Sequence, residues 1–106
     1  MKDKLNQILQ ELRSQLTTLY RERLVQVILY GSQARGDAEP GSDIDVLIVL
    51  KGDINPSEEI SHTGHIVASL SLENNVVISC AFISEALFKL EQSPFLLNIR
   101  REGVLV

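Results

Sequence analysis

The sequence predicts an α+β protein in which a small mixed sheet of three to four strands packs against helices. Three observations carry this expectation. The N-terminal stretch spaces its apolar residues as one face of a helix, two short runs rich in Val, Ile and Leu have the length of strands, and a helix-start signal separates the second of these from a third. The chain has 106 residues, which fits one domain spanning 1–106 at the small end of the common range. Its 44% hydrophobic content is too high for a disordered segment.

Over residues 4–22, Leu5, Ile8, Leu9, Leu12, Leu16 and Leu19 form a single apolar stripe, and Asp3 is placed to cap the helix. This stripe is too short for a coiled-coil seam and reads as core. Residues 24–30 form a buried strand that ends in Gly31-Ser32. The following connection is rich in glycine and polar residues, with one helical turn after Ser32. Residues 43–50 make the second strand, and its unbroken apolar interior, Val46 to Leu50, is the pattern of a strand covered on both faces.

Asn55-Pro56-Ser57-Glu58 is a helix start: Asn caps, Pro takes the first helical position and Glu58 reaches back. Ile60, Gly64, Val67 and Leu70 or Ser71 mark its expected buried face. Residues 76–83 read as the third strand, Ser84 caps a short helix to Leu90, and Ser93-Pro94 opens another that Gly103 stops. The apolar ending, Phe95 to Ile99 and Val104 to Val106, either packs on the chain's own sheet or contacts a partner.

The chemistry concentrates in Tyr30-Gly31-Ser32-Gln33-Ala34-Arg35-Gly36 and Ser42-Asp43-Ile44-Asp45-Val46. Alternation along a strand points Asp43 and Asp45 the same way, and two carboxylates on one face repel unless a cation lies between them. Mg²⁺ suits such a pair, taking one or two carboxylates and filling its shell with phosphate oxygens and water. Gly31 lets the backbone approach a ligand closely, while Ser32 offers a hydroxyl and free N–H groups at a helical start. Arg35, on the same turn, can add a charge-assisted bond to phosphate. A Gly-Ser dipeptide alone is usually a turn, and an Asp-x-Asp pair alone is often a solvated strand edge. Their combination at this spacing, between two apolar strands, favours a metal–nucleotide site.

Gly31-Ser32, ten intervening residues and Asp43-x-Asp45 resemble the signature of the DNA polymerase beta-type nucleotidyltransferase superfamily. The fuller strings, over residues 24–50, are similar to its minimal nucleotidyltransferase family, and the resemblance extends more loosely to the ending around Asn98-Ile99-Arg100-Arg101-Glu102-Gly103. It implies the minimal polymerase beta-type fold, with Asp43 and Asp45 catalytic and holding Mg²⁺. Gly31, Ser32 and Arg35 would bind the phosphates of ATP. The implied reaction is attack of an acceptor hydroxyl on the α-phosphorus, with release of pyrophosphate. Members of this family are commonly antitoxins that silence a helical ribonuclease toxin of the HEPN type by transferring AMP to one of its tyrosines. The resemblance also implies a third carboxylate on the next strand. That strand, residues 75–82, has no acid, and Ser79 is the position assigned to it. Turnover is therefore expected to be slow, completed by a partner, or replaced by neutralisation of the toxin through contact alone.

Other features read as structural. His62 and His65 lie three residues apart with no third ligand nearby in sequence, so surface or half-buried histidines are expected. Asp37 and Glu39 read as a solvated loop, and Cys80 as a small buried hydrophobe. With 14 acidic and 10 basic residues, the net charge of −4 argues against direct nucleic-acid binding. No signal peptide or membrane-length run is present, which leads to the expectation of a cytoplasmic protein without membrane contact. A small-molecule nucleotidyltransferase is disfavoured because such enzymes usually carry a further substrate domain.

Overall fold

The computed structural model describes residues 2–106. Helix α1 (Lys2–Tyr20) leads through a 3-10 turn at Arg21–Arg23 into strand β1 (Leu24–Tyr30), and a single helical turn α2 (Ser32–Arg35) follows at once. Strand β2 (Ile44–Leu50), helix α3 (Pro56–Asn74) and strand β3 (Ile78–Ser84) come next, then helices α4 (Glu85–Leu90) and α5 (Pro94–Glu102) and a two-residue strand β4 (Val104–Leu105). The sheet order is β3-β2-β1-β4. β1 pairs antiparallel with both β2 and β4, whereas β2 and β3 run parallel, joined by α3.

The sheet buries both faces. On one, Ile8, Leu12 and Leu16 of α1 and Ile66 and Leu70 of α3 pack against Val27, Leu29, Val46 and Ile48. On the other, Leu96 and Ile99 of α5 meet Ile28, Leu47 and Val49. This double cover accounts for the continuous apolar run of β2, where every residue from Val46 to Leu50 is at most 1% exposed.

The α1 stripe ends on Tyr20 rather than Leu19, because the i, i+4 row through Leu12 and Leu16 reaches Tyr20 and leaves Leu19 facing out. Asp3 is not the cap of α1. The helix is already under way at Lys2, and Asp3 lies in its first turn, where a negative charge suits the positive end of the helix dipole.

Asn55 caps α3 as expected, its side chain accepting from the Ser57 N–H, with Pro56 at the first helical position. The buried face of α3, however, is Glu59, Thr63, Ile66 and Leu70, one residue out of phase with the expected Ile60, Gly64 and Val67. Two polar residues hide this face from a hydrophobic pattern. Glu59 is buried because the Tyr20 hydroxyl donates to its Oε1 at 2.7 Å, and the Thr63 hydroxyl donates to the Glu59 carbonyl at 2.9 Å. The buried acid of this turn is thus Glu59, while Glu58, expected to reach back to the cap, is exposed.

β3 begins two residues later than expected because Asn75, at φ +52°, turns the chain out of α3 and the Val76 N–H still donates to Ser71. The Ser84 and Ser93 caps form as expected. The C-terminal ending packs on the chain's own sheet through Leu96, Ile99 and the β4 backbone, while Phe95, Leu97, Val104 and Leu105 stay exposed. β4 pairs with β1, the Val106 N–H donates to Val27, and Arg13 donates to the Val106 carbonyl. No helix among the described residues is long and apolar enough to cross a membrane.

Candidate functional site

The site forms where β1 ends, α2 begins and β2 starts. Antiparallel pairing sets Tyr30 opposite Asp45, and parallel pairing sets Ser79 opposite Asp45 on the other side. Asp45 therefore lies in the middle of the sheet, between Tyr30 and Ser79. Asp43 lies one residue ahead of β2 and is exposed, whereas Asp45 is half-buried. Burial pushes the Asp45 carboxyl above its ordinary value, and the neighbouring Asp43 charge pushes it further. Such a pair repels itself and gains from a cation, so the donor set fits a divalent ion held by two carboxylates. Among the described residues, no cluster of three or more His, Cys, Asp or Glu could hold a metal.

Gly31 sits directly against this carboxylate. Its backbone lies at φ +75°, and a Cβ there would come 2.6 Å from Asp45 Oδ2. Only glycine allows the β1–α2 turn to approach the acid so closely. Ser32 opens α2; the Gly31 carbonyl accepts from the Ala34 and Arg35 N–H groups, and those of Ser32 and Gln33, ahead of them, have no carbonyl within the turn to donate to. The Arg35 guanidinium is held by Asp37 at 3.2 Å and Glu102 at 3.3 Å, across the end of α5. The structure thus brings Gly31, Ser32, Asp43 and Asp45 to one end of the sheet and places Arg35 beside them, engaged with two carboxylates.

Next to Gly31 lies a cleft of about 160 Å³ between β1 and α5, lined by Tyr30, Arg35, Phe95, Asn98 and Glu102. Tyr30 and Phe95 meet edge to face, with centroids 5.5 Å apart. The phenol of Tyr30 is pushed up by burial and then by Asp45. Phe95 enters the sequence reading only in the apolar ending, and Asn98 and Glu102 only in the family-like string, none as a site residue, although their spacing of three and four residues already places them on one face of α5. A larger groove of about 490 Å³, between α1 and the loop entering β2, shares no lining residue with this cleft.

The remaining candidates are structural. His62 Nδ1 lies 3.4 Å from Glu59, and His65 is exposed. Asp37 pairs with Arg35, and the Glu39 N–H donates to the Ser42 hydroxyl. Cys80 packs against the α1–α3 core, and burial pushes its thiol up to about 12.

The sequence matches the family described as nucleotidyltransferase domain over residues 5–93. The chain belongs to the nucleotidyltransferase domain family. Two relatives from Methanocaldococcus jannaschii, named as candidate protein adenylyltransferases, are 36% identical over 69% of this nucleotidyltransferase and 73% of the relative, and 38% identical over 90% of each. Solved structures share the nucleotidyltransferase fold. One, a toxin–antitoxin crystallised with AMP-PNP, superposes with a TM-score of 0.61 at 13% identity, covering 89% of this chain and 68% of that one. A second, the toxin–antitoxin MntA-HpeT carrying two Asp-to-Glu changes, gives a TM-score of 0.62 at 13% identity over 94% and 69%. A candidate nucleotidyltransferase from Sulfolobus solfataricus gives 0.55 at 24% identity over 97% and 76%.

Proposed function

We propose that this nucleotidyltransferase is the antitoxin of a two-gene toxin–antitoxin pair and acts as a Mg²⁺-dependent protein adenylyltransferase, moving AMP from ATP to a tyrosine of a helical HEPN-type ribonuclease. The observation that carries this reading is the packing of Gly31 against the Asp45 carboxylate, with Asp43 adjacent, at the end of a phosphate-type turn. The names of the archaeal relatives support the acceptor class, and the toxin–antitoxin structures of the same fold support the partner.

In this reading Gly31 and the first N–H groups of α2 receive the phosphates, and the Ser32 hydroxyl adds a donor. Arg35 leaves its two acidic neighbours for a phosphate oxygen. Asp43 and Asp45 would hold Mg²⁺, which supplies charge neutralisation on the phosphates and at the attacking oxygen. The tyrosine oxygen bonds to the α-phosphorus as the bond to the bridging oxygen of the β-phosphate breaks; pyrophosphate leaves, and the phenolic proton passes to water or to a base of the partner.

A second reading is favoured by Ser79, which stands beside Asp45 in the register where a third acid is expected. A hydroxyl is a poor Mg²⁺ ligand beside a carboxylate, so the chain can neutralise its partner by contact without transfer. Labelled ATP, Mg²⁺ and the helical product of the neighbouring gene decide between the two. Transfer reads as label on the partner, lost in Asp43→Ala along with neutralisation. An Asp43→Ala variant that neutralises as well as the unaltered chain refutes transfer as the mechanism. If the missing acid limits the rate, Ser79→Asp raises label incorporation by about tenfold or more.

A further inference from the structure

We propose that the cleft between β1 and α5 is the nucleobase subsite, with Phe95 stacking on the base and Asn98 reading its edge. This inference rests on the nucleotide-binding reading of the Gly31 turn and adds to it the determinants of base selectivity. Gly31 lines the cleft, so a nucleotide whose phosphates reach the start of α2 has this cavity directly beside it. At about 160 Å³ it is well below the roughly 300–1,000 Å³ of pockets that enclose a drug-sized ligand. It is a small, partly open cleft on the scale of a single planar ring system.

Its walls suit a heterocycle. Phe95 is 46% exposed despite being aromatic, and Tyr30 meets it perpendicularly, which leaves ring surface open to the cleft. Base stacking on such a ring tolerates any base and contributes roughly tenfold or more in affinity. Asn98, one helical turn further along α5, lines the cleft and is exposed, so its amide is open to a ligand. An Asn amide both donates and accepts, so it matches the N7 acceptor and N6 amino donor of adenine. On guanine, N7 and O6 are both acceptors and leave the amide oxygen without a donor. The site therefore favours ATP over GTP. Glu102, at the rim, offers a carboxylate to a ribose hydroxyl once Arg35 turns to phosphate.

The full chain is titrated with ATP, GTP and inorganic tripolyphosphate in the presence of Mg²⁺, with no partner present. Phe95→Ala is expected to weaken ATP binding about tenfold while leaving tripolyphosphate binding unchanged, and Phe95→Trp restores the ATP affinity. Asn98→Ala is expected to collapse the ratio of ATP to GTP affinity towards one. Equal loss of ATP and tripolyphosphate in Phe95→Ala, or no loss of either, overturns the subsite without overturning the reading that the chain binds phosphates. A chain that binds neither ATP nor tripolyphosphate overturns both the subsite and the reading on which it rests.

Discussion

Gly31 answers to two constraints at once, a left-handed φ of +75° and the Asp45 oxygen that a Cβ would meet at 2.6 Å. Gly31→Ala must either swing the Asp45 carboxylate aside or lift the start of α2 away from it. The backbone at φ +75° and ψ −158°, a region reached essentially only by glycine, alone costs an alanine about 1–3 kcal/mol. The expected outcome is a folded but less stable protein whose affinity for ATP with Mg²⁺ falls at least tenfold, as read by calorimetric titration. An affinity equal to that of the unaltered chain would show that the turn and the acid do not act together. Asp45 differs in kind from Asp43 for the same reason: one is packed between strands and against a glycine, the other stands free ahead of the strand. The two carboxylates therefore differ in surroundings, the half-buried Asp45 being the one held between neighbours.

At the scale of elements, α1 and α3 are tied by a polar bond set within an apolar layer. The hydroxyl of Tyr20 donates to the buried Glu59, and Arg23 approaches the same carboxylate at 3.9 Å. Tyr20→Phe removes the donor and leaves a buried acceptor short of a partner, a loss of about 1–3 kcal/mol. Denaturant unfolding at neutral pH measures it. Burial, then the hydrogen bond to Glu59 and its charge, push the Tyr20 phenol above its ordinary value near 10. The folded protein thus holds that proton more tightly than the unfolded chain does. The contribution is fully present below pH ~10 and declines as the pH rises past it, and Tyr20→Phe should flatten this alkaline loss. A parent whose stability does not change between pH 9 and pH 11 would contradict this assignment.

The same helix shows how far the sequence could be read. Strand β1, the caps Asn55, Ser84 and Ser93, and the turn after Ser32 were legible because each follows from a local rule: an apolar run, a side-chain acceptor or a glycine after a strand. The buried face of α3 was not, since Glu59 and Thr63 are buried by partners distant in sequence or by their own backbone, which periodicity does not register. Within the site, Asp43, Asp45, Gly31 and Ser32 announce themselves by spacing. The α5 residues at the cleft do not, because which side of α5 faces β1 is settled by Leu96 and Ile99 packing onto Ile28 and Val49.

For the whole molecule, the sheet order β3-β2-β1-β4 places the candidate site on its two central strands rather than at an edge. A ligand bound there is bound only by the folded chain. At a concentration a hundred times its dissociation constant it adds about 2.7 kcal/mol of stability. For a chain of this size that is a rise in Tm of roughly 10 °C or more. Thermal unfolding with and without ATP and Mg²⁺ measures this directly, and an unchanged Tm under saturating conditions would count against nucleotide binding at the site.

The pairing of Asp45 on both flanks has a consequence for how the protein reports occupancy. The amides of β1 and β2 lie in the most deeply covered ladder of the molecule, and such amides exchange with solvent only when the chain opens globally. A nucleotide seated at the end of that ladder therefore slows deuterium uptake at its most protected positions, not merely at the loop it touches. Occupancy of a surface turn becomes measurable in the slowest-exchanging amides of the interior.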